Sequence, residues 1–285
     1  MEEYRTVLKD VFGESSDSEG DELHKHQIQF ESPNNGVQSE SIFGENPSWE
    51  RVAEINGLWL CRDFLSLDQQ SSLLSTIENE GWFTEASHNQ LVLHMFILEA
   101  FELLGFHSAQ AMRFGDLPVW ATELANLVRE VVHFSDYVSE FVDIAASDDG
   151  KNAYLFPSKL LWREPLFDQL IINLYQPGEG ICAHVDLMRF EDGIAIVSLE
   201  SSCVMHFSRV ESDAGIIRKE SEGDPHKAKI PVFLTPGSLV LMWGEARYLW
   251  KHEINRKPGF QKWEGKDIDQ KRRTSITLRK LCHSE

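Results

Sequence analysis

From residue 166 onward the chain is a succession of short apolar runs separated by glycine and proline, and this texture limits the fold more than any other feature. Runs at 169–175, 181–186, 194–199, 203–207, 229–234, 238–243 and 274–278 are β-rich, and Pro177-Gly178 and Pro236-Gly237 stand between them as turns. So many short strands predict a closed or sandwiched all-β unit, such as a jelly roll, because open edges must be paired or covered.

The preceding segment has a different period. Residues 55–61 predict a turn and a short strand. Ser66 and Gln69 form a capping-box pair, in which hydroxyl and amide each satisfy an orphan amide at a helix start. Leu73, Leu74 and Ile77 follow at helical spacing. Residues 91–106 and 120–141 read as further helices, the second opened by Asp116 and Pro118. Helices first and strands later give an α+β chain with one main core. The expected organisation is a disordered acidic tail at 1–50, a helical extension at 51–165 with an apolar insert at 91–110, and the β core at 166–285.

Charge and cysteine narrow the class. The formal net charge is −19. Residues 1–50 carry 12 Asp/Glu against 3 Lys/Arg, and residues 13–22 hold no large apolar side chain, so that stretch cannot fold alone. Broad electrostatic capture of nucleic acid is not expected of so acidic a chain. Cys61, Cys182, Cys203 and Cys282 form no C-x-x-C pair, which predicts reduced thiols and a cytoplasmic or nuclear protein. The polar start argues against a signal peptide, and no apolar run reaches the roughly 18 residues of a membrane span.

The candidate chemistry begins at His184-Val-Asp186. Residues i and i+2 of a strand share a face, so an imidazole and a carboxylate converge on one point. H-x-D alone is weak; a third ligand decides. His206 lies in an apolar strand, where a core or surface role is the simpler reading. His226 lies in a charged loop. His252 follows an apolar run that turns at Gly244 and precedes a strand bearing two arginines, which makes it the choice. Two histidines and one carboxylate leave open positions and suit non-haem Fe(II).

Residues 273–279 place Arg273, Ser275, Thr277 and Arg279 on one strand face. Such a face could simply be solvated. Functionally, the planar fork of Arg273 would bind both oxygens of a carboxylate. Six strand residues span about 20 Å, so Arg279 must serve the opposite end of any shared site. Asn173 and Tyr175 repeat the i, i+2 logic as neutral hydrogen-bonding groups on the strand before the H-x-D motif.

In order, Asn173-x-Tyr175-x-Pro177-Gly178, His184-x-Asp186, His252 and Arg273-x5-Arg279 resemble the AlkB family of Fe(II)/2-oxoglutarate dioxygenases. The likeness runs from about 166 to 281 and more weakly over 57–82. Phe190-Glu-Asp192 and the stretch from Gly244 to His252 are similar to the eukaryotic homologues that modify tRNA, oxygenase domain only. The resemblance implies a double-stranded β-helix. It implies Fe(II) on His184, Asp186 and His252. It implies 2-oxoglutarate as cosubstrate, its distal carboxylate on Arg273 with Asn173 and Tyr175 assisting, and Arg279 toward the metal end or the substrate. Oxygen is the second cosubstrate, succinate and CO2 form, and a C–H or N-methyl group is oxidised.

Two departures bear on substrate. Nucleic-acid-acting members carry an aromatic and basic lid, and the matching stretch here, 111–115, lacks the paired tyrosines and arginines that would hold a base. Residues 91–110 have no counterpart in similar chains and read as a partner-binding surface or a translated splice remnant. Against this, residues 256–280 hold nine Lys/Arg and three acidic residues, an excess that could steer phosphates or simply offset an acidic body. A modified nucleobase in RNA or DNA is therefore the first substrate expectation. A protein side chain or small molecule is the second, and a non-catalytic interaction protein that keeps the fold is the third.

Overall fold

The computed structural model describes residues 48–83, 109–142, 154–210, 229–257 and 259–282. The acidic tail up to residue 47, the stretch read as a helix at 91–106, and His226 lie outside them.

The strands are β1 (Trp49–Arg51), β2 (Leu58–Cys61), β3 (Ala109–Phe114), β4 (Gln169–Tyr175), β5 (Ile181–His184), β6 (Ile194–Leu199), β7 (Cys203–Arg209), β8 (Ile230–Leu234), β9 (Leu239–Met242), β10 (Trp250–Ile254), β11 (Lys262–Trp263), β12 (Lys266–Asp267) and β13 (Arg273–Arg279). The helices are α1 (Leu67–Asn79), α2 (Val119–Val142), α3 (Ser158–Leu161) and α4 (Glu245–Tyr248). Both halves of the Ser66–Gln69 capping box are present, the Gln69 amide N–H donating to Ser66 Oγ at 3.2 Å and the Ser66 N–H to Gln69 Oε1 at 2.8 Å.

Among the described residues the strands form a seven-stranded sheet in the order β1-β2-β9-β6-β13-β4-β3 and a four-stranded sheet in the order β5-β10-β7-β8, with β11 and β12 as a small hairpin. The pairings are antiparallel. Strand alternation sorts side chains of the large sheet into two cores. Ala195, Val197 and Leu199 of β6, with Ile276 and Leu278 of β13, pack toward α1, α2 and α3. Ile194 and Ile196 of β6 and Val240 and Met242 of β9 point the other way, against Met205, Phe207, Val232 and Trp250 of the small sheet. Every residue of β6 is buried, and it reads as an apolar run broken only by Ser198. This is the mostly antiparallel jelly-roll core with few helices that the strand texture predicts.

The inter-sheet face changes character along the large sheet. On β4 and β13, Leu170, Ile172, Ile276 and Leu278 belong to the helix-side core. By alternation the inner face of these strands carries Gln169, Asn173, Tyr175, Arg273, Ser275 and Arg279. Register sets these polar residues opposite one another: Arg273 with Tyr175, Ser275 with Asn173, Arg279 with Gln169. A polar end of the sandwich thus faces β5 and β10.

Three details differ from the sequence expectations. The strand read as 181–186 ends at His184, and Asp186 lies in the loop beyond it. Residues 111–115, read as a shortened lid, are mostly β-strand: β3 pairs with residues 169–174 of β4 as the edge of the large sheet. Ala109 and Gln110, at the end of the stretch read as an insert, open that same strand.

Candidate metal and cosubstrate centre

His184 and His252 are direct register partners on β5 and β10. Their rings stand 4.3 Å apart, centroid to centroid. A register shift follows at once between His252 and Ile254, an irregularity of the kind that re-aims side chains beside sites. His184 Nδ1 sits 2.8 Å from the Cys182 carbonyl, a contact it can make only as a donor, which leaves Nε2 as the free lone pair. Asp186 Oδ2 lies 3.8 Å from His252 Nε2. One donor atom from each of His184, Asp186 and His252 falls within 4.8 Å of the others, and among the described residues these three form the one such cluster of metal-competent side chains.

The electrostatics keep the donors in ligating form. Burial pushes the His252 imidazole down to about 3, with His184 adding to the effect and Asp186 opposing it, so His252 is neutral at neutral pH. Burial alone would raise the Asp186 carboxyl. Arg279 first, then His252, His184 and Arg247, outweigh it and hold the group below the usual carboxylate range. Two imidazole nitrogens and a carboxylate oxygen with open positions suit Fe(II).

Because Asp186 is off the strand, something else must fix it. Arg247 of α4 does so. Its side chain is fully buried and donates from Nη1 to the Asp186 carbonyl at 3.0 Å and from Nη2 to the carbonyls of Leu187 and Phe190 at 2.8 and 3.2 Å. Asp192 holds the same loop from the far side, its Oδ1 accepting from the N–H groups of Gly193 and Gly244. Gly244 there has φ of 55° and ψ of −122°, a left-handed conformation that suits glycine. In sequence, Arg247 and Asp192 stand out only as part of the stretches that carry the family resemblance.

Arg279 spans the metal end. Its Nη1 donates to Asp186 Oδ1 at 2.5 Å, its Nε to Gln169 Oε1 at 2.7 Å, and its guanidinium lies 4.0 Å from the Phe190 ring centroid. Gln169 is its register partner, a signal that cross-strand pairing would have supplied. At the other end of β13, Arg273 is 0% exposed. Its Nη2 donates to Ser198 Oγ at 2.8 Å, and its guanidinium lies 5.5 Å from the Tyr175 ring. Its Nε and Nη1 are buried with no partner. A buried guanidinium with orphan N–H groups costs several kcal/mol unless an anion arrives, so this end fits a carboxylate. Asn173 is held beside it by Gln110 of β3, whose Nε2 donates to Asn173 Oδ1 at 2.6 Å.

His206, the rival third ligand, is on β7 with its ring 6.0 Å from Phe260 and is outside the cluster. The basic stretch at 256–280 also resolves. Arg273, Arg279 and Lys280 are buried. Lys280 pairs with Asp168 at 2.7 Å, Arg272 with Glu200 at 2.5 Å, Lys262 with Asp267 at 3.5 Å and Lys271 with Asp269 at 3.4 Å. Lys257, Lys262, Lys266, Lys271 and Arg272 stay exposed at the surface.

Comparison with known proteins agrees with this geometry. The family model for the 2OG-Fe(II) oxygenase superfamily matches residues 57–279. The chain is 28% identical over 233 residues to the alkylated DNA repair protein ALKBH8 homolog of Arabidopsis thaliana, covering 80% of this chain and 59% of that protein. It is 36% identical over 133 residues to the tRNA (carboxymethyluridine(34)-5-O)-methyltransferase alkbh8 of Xenopus tropicalis, covering 41% of this chain and 19% of that one. The solved structure of OsALKBH1 superimposes with a TM-score of 0.52 at 15% identity, over 82% of this chain and all of that one, which is a likeness of fold.

Proposed function

Since this chain belongs to the 2OG-Fe(II) oxygenase superfamily, we propose that it is an Fe(II)- and 2-oxoglutarate-dependent dioxygenase that oxidises a C–H or N-methyl group of a modified nucleobase in RNA or DNA. The observation that carries this reading is one inner face with two ends. One end gathers His184, Asp186 and His252. The other buries Arg273 with donors unused.

His184 and His252 would hold Fe(II) through nitrogen and Asp186 through oxygen. Bound there with 2-oxoglutarate and O2, the metal supplies the oxidising power, and succinate and CO2 are the co-products. The protein's own contribution is placement. Arg273 orients the cosubstrate by its distal carboxylate, with Tyr175 and Asn173 beside it. Arg279 neutralises Asp186 while its stem and Phe190 seal that side from water. Arg247 keeps the Asp186 loop from drifting, which sets where a substrate carbon must sit. Exclusion of water by the surrounding apolar core strengthens every one of these charges.

The nucleobase assignment takes its support from relatives whose names place them on alkylated DNA and on tRNA. A second reading, a protein side chain or small molecule, is favoured by residues 111–115, which lie in and just past the edge strand β3 and carry no paired tyrosines and arginines to hold a base.

The test is anaerobic titration with Fe(II) and 2-oxoglutarate, followed by succinate measurement in air. A visible charge-transfer band and succinate release are expected. A folded protein giving neither would overturn the enzyme reading. Methylated RNA and DNA oligonucleotides should raise succinate output above the uncoupled rate; stimulation by peptides alone would transfer the assignment to the second reading.

A further inference from the structure

Nine buried side-chain polar atoms have no partner among the described residues, and five of them belong to just two arginines, Arg273 and Arg256. Arg273 is accounted for above. Arg256 is not: it lies two residues past β10 in a basic loop and looks from sequence like a solvated cation. In the structure all three of its guanidinium nitrogens are sealed from solvent and none has a hydrogen-bond acceptor.

The local backbone explains how it gets there. Tyr175 ends β4, and a tight turn follows, with the Glu179 N–H donating to the Gln176 carbonyl at 3.0 Å and the Gln176 N–H to Glu179 Oε2 at 2.7 Å. Gly180 closes this turn just before β5. A Cβ at Gly180 would stand 2.0 Å from the Ile254 carbonyl oxygen and 3.0 Å from Arg256 Cγ. Glycine is required there because the end of β10 and the Arg256 stem press onto the turn. Arg256 therefore packs at one end of a five-residue turn whose other end carries Tyr175, the register partner of Arg273. The fields agree with this placement. The Tyr175 phenol, pushed up to about 12 by burial, feels Arg273 most strongly among its charged neighbours and Arg256 as well. Arg256 in turn is weakened as a cation by burial, and its charged or titratable neighbours are Cys203, Arg273, Tyr175 and Glu179.

We propose that Arg256 is a second guanidinium for the distal carboxylate of 2-oxoglutarate, standing with Arg273 beside Tyr175 and making the site select a dicarboxylate. This rests on the dioxygenase reading above. Two buried cations with free N–H groups are each other's problem in the absence of an anion; a carboxylate between them accepts from both and removes the repulsion. A single arginine would suffice to bind a carboxylate. Two make its loss costly, so a 2-oxo acid without that group is rejected.

The test compares 2-oxoglutarate with 2-oxopentanoate, which keeps the 2-oxo acid and the chain length but lacks the distal carboxylate. Affinities are measured by calorimetry on the Fe(II)-loaded protein under anaerobic conditions. Arg256→Met should weaken 2-oxoglutarate at least tenfold and leave 2-oxopentanoate unchanged. Arg256→Lys, which keeps the charge but loses the fork, should weaken 2-oxoglutarate at least threefold and serves alone if the Met variant does not fold. Unchanged 2-oxoglutarate affinity, or an equal loss for both acids, would refute the role of Arg256 while the wild type still binds. A folded wild type that binds no 2-oxoglutarate would instead sink the dioxygenase reading, and this inference with it.

Discussion

The two ends of β13 carry the same residue in opposite circumstances. Arg279 is partnered: Asp186 and Gln169 accept from it and the Phe190 ring lies against its guanidinium. Arg273, equally buried, keeps two N–H groups with nothing to donate to. One end of the site is thus complete as a protein interaction, and the other is complete only with an external anion. The contrast separates residues that build the centre from residues that wait for a ligand. It also predicts which substitutions damage the fold and which damage binding alone.

The largest effect is expected at Asp186. Asp186→Ala should abolish the anaerobic Fe(II)–2-oxoglutarate charge-transfer band, and unchanged iron affinity would refute the ligand assignment. The next prediction tests the contrast directly. Arg279→Met leaves the Asp186 carboxylate buried without its ion-pair partner and should cost about 3–5 kcal/mol in denaturant unfolding of the ligand-free protein. Arg273→Met removes an unsatisfied buried cation, so the ligand-free protein should be no less stable and up to about 4 kcal/mol more stable, while 2-oxoglutarate affinity falls about 100-fold, or ~2.7 kcal/mol. Equal destabilisation by the two variants would erase the distinction.

Smaller effects sharpen it. Arg247→Met frees the loop that carries Asp186 and should lower Fe(II) affinity about 10- to 100-fold, in keeping with outer partners of metal ligands generally. Gln110→Ala removes only the brace on Asn173 and should weaken 2-oxoglutarate by about threefold with iron binding intact, by calorimetry.

Much of the fold was legible because strand alternation leaves a direct mark on sequence. Gln169–Tyr175, Ile194–Leu199 and the polar face of Arg273–Arg279 could be read from spacing alone, as could the Ser66–Gln69 cap. What escaped was set by long-range pairing. Asp186 looked like a strand residue because H-x-D fits a strand; that the strand stops at His184 depends on Arg247, some sixty residues away. β3 followed a stretch with no recognisable counterpart, and nothing local in Ala109–Phe114 announces that it pairs with β4 and braces Asn173. The basic stretch was open for the same reason. Composition counts charges, while the partners that bury Lys280 against Asp168 and tie Arg272 to Glu200 lie far back along the chain. Arg256 is the sharpest case, a loop cation by sequence and a buried one by structure.

Strand β13, the last among the described residues, is also an interior one. β13 enters the large sheet between β6 and β4, pairing with both. Until those seven residues arrive, β6 and β4 present open backbone edges flanked by apolar side chains on their helix-side faces. Until β13 docks, neither half of the large sheet can close on the other, the kind of interval in which aggregation competes with folding. A chain without β13 would lose the large sheet, where one might have expected a weakened enzyme.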